Sequence, residues 1–206
     1  MPFTRKGNGR KKSSQAIRLT TAEGLRDAVL FASRAGMPLN RFVTIHWDAA
    51  AVADDLAATA RYLKLAGDWV RVRGGVFAFI WVRESGEQKG RHVHILMHLP
   101  PNLMLGFNRR QRGWLKACGA AWRAKVILTR PIGRSLQHAL TGGADYQTNL
   151  LELLDYVLKG ADQAARAVLG IVRQKDGGLI RGKRCGFSQN LGPMARQRAE
   201  SSGSRT

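Results

Sequence analysis

Apolar and polar residues alternate with a period of two in several short segments of this chain and with helical spacing in others, and the two periods divide it into elements. TTAEGLRDAVLFASRAG, 20–36, opens on Thr20 and Glu23, a capping pattern, and continues as an amphipathic helix. RFVTIHW, 41–47, is β-rich and ends at Asp48, which is placed to cap an Ala-rich helix over about 50–66. GGVFAFIWVRE (74–84), the polar turn SGEQKG (85–90) and RHVHILMHL (91–99) predict a strand–turn–strand hairpin. Pro100 and Pro101 end it, because proline cannot donate to a β ladder. A basic helix over about 108–125, NRRQRGWLKACGAAWRAK, leads into the short strand VILTR. NLLELLDYVLKG, 149–160, spaces its leucines as a helix does, with Gly160 as its C-terminal cap. A short helical run and a Gly- and Arg-rich tail, RGKRCGFSQNLGPMAR, follow. The order strand, helix, strand, strand, helix, strand, helix predicts an α+β domain with a mostly antiparallel sheet.

Composition adds a partner class. At 206 residues and 44% hydrophobic content, the chain suits one well-buried domain. Its 34 Lys and Arg against 14 Asp and Glu leave a formal charge of +20, which repels itself unless a polyanion neutralises it. Nucleic acid is the commonest such partner; a solubilising surface and an acidic membrane surface are the other readings. Charge divides the chain into a basic arm (1–18, with Arg5, Lys6, Arg10, Lys11, Lys12 and Arg18), a folded domain (19–172) and a basic Gly/Arg-rich segment (173–206). Cys118 and Cys185 have no zinc-binding spacing, so a reducing cytosol is expected. No apolar run reaches the length of a membrane span, and the basic N-terminus lacks the hydrophobic core of an export signal.

The chemistry centres on GRHVHILMHLP, 90–100. In a strand, Val93, Ile95, Met97 and Leu99 share a core face, while His92, His94, Leu96 and His98 share the other. Two imidazoles at i and i+2 are spaced to bind one divalent ion, or they are polar residues on a half-exposed strand. Across the hairpin, Glu84 ends the preceding strand beside the start of the histidine strand. A carboxylate with two imidazoles suits Mg²⁺ or Mn²⁺ with positions open to phosphate oxygens. Glu87, in the turn, is the weaker third ligand. Arg83, Lys89 and Arg91 flank these positions as candidate DNA contacts.

In LLDYVLKG, Tyr156 and Lys159 stand at i and i+3 and project from one side of a helix. By itself this fits an amphipathic core-edge tyrosine and a cation welcome near a helix C-terminus.

Taken in order, FVTIHW, HVHIL with its upstream Glu84, and YVLK resemble the motifs of the HUH endonucleases, the rolling-circle initiators named for His–hydrophobic–His. The resemblance spans roughly 41–160. It implies a ferredoxin-like (RRM-like) domain with the histidines on a central strand and the tyrosine helix packed beside them. It also implies an activity: Tyr156 attacks a phosphodiester of single-stranded DNA and keeps the 5′-phosphate, with His92, His94 and Glu84 holding the metal and Lys159 assisting the tyrosine. No tyrosine lies four residues from Tyr156, which argues against paired-tyrosine initiators, and the tyrosine follows the histidines, unlike that of conjugative relaxases. Single-tyrosine transposases share the order but commonly carry Gln where Gly160 stands; YxxK favours the replication initiator. The implied partner is single-stranded DNA at a stem-loop origin of a plasmid, phage or related element. His46 departs from the hydroxyl- or Asn-bearing ending of the first motif and is read as structural or DNA-contacting. His98 is read as a neighbour of the site.

GGLIRGKR, 177–184, has the GxxxxGK skeleton of a phosphate loop, but Arg184 replaces the Ser or Thr that holds Mg²⁺. With no ATPase motif, duplex unwinding falls to a partner such as a host helicase. Lys183 and Arg184 are read instead as phosphate contacts. A non-catalytic alternative is a sheet that binds single strands by stacking, with Phe77, Phe79 and Trp81 on one face of their strand.

Overall fold

The computed structural model describes residues 12–133, 139 and 142–203. The arm residues Arg5, Lys6, Arg10 and Lys11 lie outside them. The elements are β1 (Ser13–Ser14), α1 (Leu19–Arg34), β2 (Arg41–His46), α2 (Asp55–Arg71), β3 (Ala78–Gly86), β4 (Gly90–His98), α3 (Met104–Ala117), β5 (Ile127–Pro131), α4 (Ala144–Leu158), α5 (Gln163–Leu169), β6 (Ile180–Arg181), β7 (Cys185–Phe187) and α6 (Pro193–Gly203).

The main sheet runs β5-β2-β4-β3-β7, all neighbours antiparallel, and β1 pairs with β6 in a separate ladder. The β2-α2-β3-β4-α3-β5 unit with this strand order is ferredoxin-like, and it puts the histidine strand β4 at the centre. Both faces are buried, so the strands carry near-continuous apolar runs. On one face Val43, Ile45, Trp81, Val93, Ile95 and Met97 pack against α2 and α3 through Tyr62, Leu63, Phe107 and Trp114. On the other, Phe42, Ile80, Val82 and Leu96 pack against α1 and α4 through Leu25, Val29, Leu150, Leu154 and Val157. The face that carries the histidines is therefore a second core.

Several helix boundaries differ from those expected, each for a local reason. α1 begins at Leu19 with Arg18 at its N-cap, which leaves Thr20 inside the first turn, where its hydroxyl does not cap. Asp54 caps α2 by accepting from the Ala57 N–H at 3.0 Å, whereas Asp48 accepts from the Arg91 backbone N–H at 2.6 Å and ties β2 to the hairpin. α3 stops at Ala117 because Gly119, at φ +82°, turns the chain back so that Gly119 and Ala120 donate to Lys116 and Leu115. α4 ends at Leu158 with Lys159 at its C-cap, and Gly160 follows without the left-handed conformation of a glycine cap.

The expected boundary at 172/173 is not a break in the fold. β7 adds to the β3 edge of the main sheet, and Ile180, Cys185 and Leu191 are buried in the core. At the other end, Ile17 is buried and its N–H donates to the Gly160 carbonyl. No helix of the described residues is long and apolar enough to cross a membrane.

Candidate metal centre and tyrosine helix

Strand register builds the site. Glu84 pairs directly with His92 across the hairpin, and His46 of β2 pairs with His92 on its other side. His94 lies opposite Thr44 on β2. Side-chain alternation then turns Glu84, His92, His94, Thr44 and His46 to the α1/α4 face, the one that carries Phe42 and Leu96.

Glu84, His92 and His94 are buried, and one ligand atom from each lies within 4.8 Å of the others. Among the described residues they are the only such group of His, Cys, Asp or Glu. Glu84 Oε2 stands 3.3 Å from His92 Nε2 and 3.8 Å from His94 Nε2. His92 Nδ1 lies 2.8 Å from the Gly90 carbonyl, which only accepts, so Nδ1 carries the proton. With Nδ1 committed there, Nε2 faces the Glu84 oxygen, and a proton or a cation must lie between the two. His94 Nδ1 is 2.9 Å from Thr44 Oγ1, and its Nε2 is buried with no hydrogen-bond partner. A buried, unpartnered ring nitrogen facing a carboxylate is what a divalent ion satisfies. The donor set fits a metal ion.

The two carboxylate oxygens of Glu84 divide their partners. Oε2 faces the imidazoles, and Oε1 accepts from the Lys159 ammonium. Burial alone would raise the Glu84 pKa, but the His92 hydrogen bond, His94 and Lys159 hold it down at about 2. Burial pushes His94 well below the ordinary histidine value despite Glu84, which keeps the ring neutral and fit to ligate. Lys159 is lowered by burial, and the pairing with Glu84 opposes that shift.

Tyr156 arrives from α4, half-buried, its ring edge-on to His94 with centroids 5.1 Å apart and edge-on to Phe42 at 6.2 Å. The Lys159 ammonium lies 4.1 Å from the centre of the tyrosine ring. Burial and Glu84 raise the tyrosine pKa, while Arg130 and Arg173 oppose the rise. The structure thus brings together Tyr156, Lys159, Glu84, His92 and His94 from three elements.

The remaining expected residues fall elsewhere. Glu87 is exposed in the turn and outside the ligand cluster, as is Lys89, whose charge reaches His46 and Lys159. Arg83 was expected to meet DNA, but alternation sends it to the opposite face. There it is 3% exposed, bidentate to Asp55 at 2.7 and 2.8 Å, and donates to the carbonyls of Arg181 and Lys183. Arg184 is likewise buried, donating to Ser14 and to the carbonyls of Gly177 and Gly178; it organises the loop rather than reaching phosphate. Lys183 is exposed, but over Trp81 on the face away from the ligands. Arg91 is partly exposed and engaged with Asp48 and the carbonyls of Val52 and Ala53.

His98 is buried, with Nδ1 2.9 Å from the Pro38 carbonyl, and lies outside the cluster. His46, half-buried, stacks on His92 with centroids 5.5 Å apart, and burial followed by His92 and Lys89 lowers its pKa. Sequence reasoning missed Thr44 altogether. Period-two alternation in FVTIH puts Thr44 and His46 on one face, but only the β2–β4 register aligns them with the histidines. No protein-family profile, curated protein or solved structure matches this chain.

Proposed function

We propose that this protein is a metal-dependent nickase and strand transferase of the HUH type, acting on single-stranded DNA at a stem-loop replication origin through a tyrosine-linked intermediate. One observation carries the proposal. The Tyr156 ring lies 5.1 Å from that of His94, beside a buried set of two imidazoles and a carboxylate that fits a divalent ion. A candidate nucleophile and candidate ligands from distant segments thus meet in one place, on a chain of charge +20.

Glu84, His92 and His94 would hold the ion, Mg²⁺ or Mn²⁺ by donor type. Bound there, it supplies Lewis-acid polarisation of the scissile phosphate. Tyr156 Oη forms a bond to phosphorus and the bond from phosphorus to the 3′ oxygen breaks. The tyrosine proton is taken up by the departing oxygen, leaving a 3′-hydroxyl and a 5′-phosphotyrosine. Attack by another 3′-hydroxyl reverses the bookkeeping and rejoins the strand. Burial and Glu84 favour the protonated phenol while Arg130 and Arg173 oppose them; the Lys159 ammonium against the ring adds positive charge where the phenolate would develop. Lys159 also fixes Glu84 Oε1, so Oε2 stays turned to the imidazoles. Thr44 orients His94 in the same way.

A second reading, non-catalytic binding of single strands, draws on Phe77, Phe79 and Trp81. They line a groove of about 660 Å³ on the face away from the ligands, where Phe77 and Phe79 are only half-buried. Covalent chemistry separates the two. Incubated with single-stranded DNA bearing its origin and Mn²⁺, the protein is expected to give an SDS-resistant adduct that Tyr156→Phe abolishes. An adduct that survives in Tyr156→Phe removes Tyr156 as nucleophile. No adduct from metal-loaded protein on its origin favours the binding module. A single-tyrosine transposase would form the same adduct on transposon-end DNA rather than on a replication origin.

A further inference from the structure

Between Glu87 and Asp145 the chain carries no Asp or Glu. That interval includes α3 and the loop after it, where Arg109, Arg110, Arg112, Lys116, Arg123 and Lys125 are all exposed. α3 has no acidic side chain at i±3 or i±4 with which to neutralise them. The carboxylates of the adjacent α2 are engaged: Asp55 holds Arg83, and Asp68 holds Lys64 and Arg71. Arg109, Arg112 and Lys116 lie at i, i+3 and i+7, one stripe along about 10 Å of helix at 1.5 Å per residue. The helix is held rigidly under this stripe, because Phe107, Trp114 and Leu115 anchor its inner face in the core. This face is the reverse of the sheet from Glu84, His92 and His94, whose side chains point to the α1/α4 layer.

We infer that α3 and the 118–125 loop form a second nucleic-acid surface, which grips the phosphate backbone of duplex DNA independently of the metal centre. The chemistry points to a duplex rather than a single strand. Single-strand grooves combine cations with aromatic faces on which bases stack. Here Phe107 and Trp114 are buried, and one face of the exposed Trp122 carries Arg112, whose guanidinium carbon lies 5.0 Å from the ring centre. What dominates is a row of cations along a straight helix, with one half-exposed ring, Trp122, already engaged by Arg112 on one side, an arrangement suited to backbone contact that positions a duplex without reading its sequence. In a nicking enzyme such a surface would hold double-stranded DNA next to the strand being cut, but the inference rests on charge and exposure and not on Tyr156.

The test compares the whole protein with Arg109→Gln/Arg112→Gln/Lys116→Gln, all exposed positions, with the fold checked by circular dichroism. Binding of a fluorescent 20-base-pair duplex is followed across a salt series by anisotropy. The wild type should show a steep negative slope of log K against log salt, and the variant a slope shallower by about 2 to 3, at about 0.9 per lost phosphate contact. Its duplex affinity at about 0.15 M salt should fall at least tenfold, while adduct formation on a short single strand is unchanged. Tyr156→Phe should bind the duplex like the wild type, so failure of the nickase proposal leaves this one standing. An unchanged slope in the triple variant overturns the inference. So does selective loss of single-strand binding, or a loss confined to anionic phospholipid vesicles, which would make this face a membrane surface.

Discussion

Glu84 Oε2 and His92 Nε2 stand 3.3 Å apart while His92 spends its Nδ1 proton on the Gly90 carbonyl. Two acceptors at this distance repel unless a proton or a metal ion lies between them, so metal should stabilise the protein. With Mn²⁺ at roughly 100 times its dissociation constant, unfolding should cost about 2.7 kcal/mol more. Thermal denaturation should show the rise in wild type, its reversal by EDTA, and its absence in His94→Ala. A rise of equal size in His94→Ala would place the ion elsewhere.

Lys159 and Glu84 are a buried pair, each side chain 7% exposed, so removing one partner leaves the other charge uncompensated. Lys159→Met and Glu84→Gln should each destabilise by about 3 to 5 kcal/mol, and their double variant by less than the sum. Urea unfolding of the four proteins measures the coupling. Strict additivity would show that the two side chains do not interact.

Acid should unfold the metal-free protein in two stages. The His94 pKa is depressed, so the unfolded chain binds the proton first, and stability should fall as pH drops below about 6.5. Glu84 is also depressed, from 4.5 to about 2; its contribution is fully present above 4.5 and is lost as pH falls toward 2. Urea midpoints between pH 8 and 2 in EDTA follow both stages, and Glu84→Gln should flatten the lower one.

Tyr156 packs through its ring, edge-on to His94 and Phe42, with the Lys159 ammonium 4.1 Å from the ring centre. Tyr156→Phe should therefore keep its stability within about 0.5 kcal/mol and its Mn²⁺ binding, while losing the DNA adduct. A large drop in melting temperature would reassign the hydroxyl to a structural role.

Arg83 satisfies Asp55 and two loop carbonyls in the core. Arg83→Met should cost about 3 to 5 kcal/mol by stranding a buried carboxylate. Lys89→Met, in the exposed turn, should leave stability unchanged and weaken DNA binding. A folded Arg83→Met of wild-type stability with impaired DNA binding would restore Arg83 as a direct contact.

Much of the fold was legible because periodicity is local. Strand β4 and the YVLK helix were found from spacing alone, and the hairpin turn fixed Glu84 beside His92. Capping was less legible. Asp48 is the expected cap of a helix from about residue 50, but α2 begins at Asp55 and Asp54 caps it, while Asp48 binds the Arg91 backbone N–H. Basic residues were least legible. Arg83, Arg184 and Lys183 look alike as charges in the chain, yet two are buried and the third lies on the far side of the sheet.

The sequence by itself determined which residues share a face, because alternation within a strand and spacing within a helix depend only on neighbours along the chain. That was enough to nominate His92, His94 and Glu84 as possible ligands, while Tyr156 and Lys159 were singled out only by the resemblance of the ordered motifs to those of the HUH endonucleases. Only the tertiary structure decided that β2 lies against β4 in the register that brings Thr44 to His94, and that α4 covers that face with Tyr156 and Lys159 inward. It also decided that Arg83 serves the core. Strand register, helix docking and the pairing of buried charges come from packing between segments far apart in sequence, which no local pattern encodes.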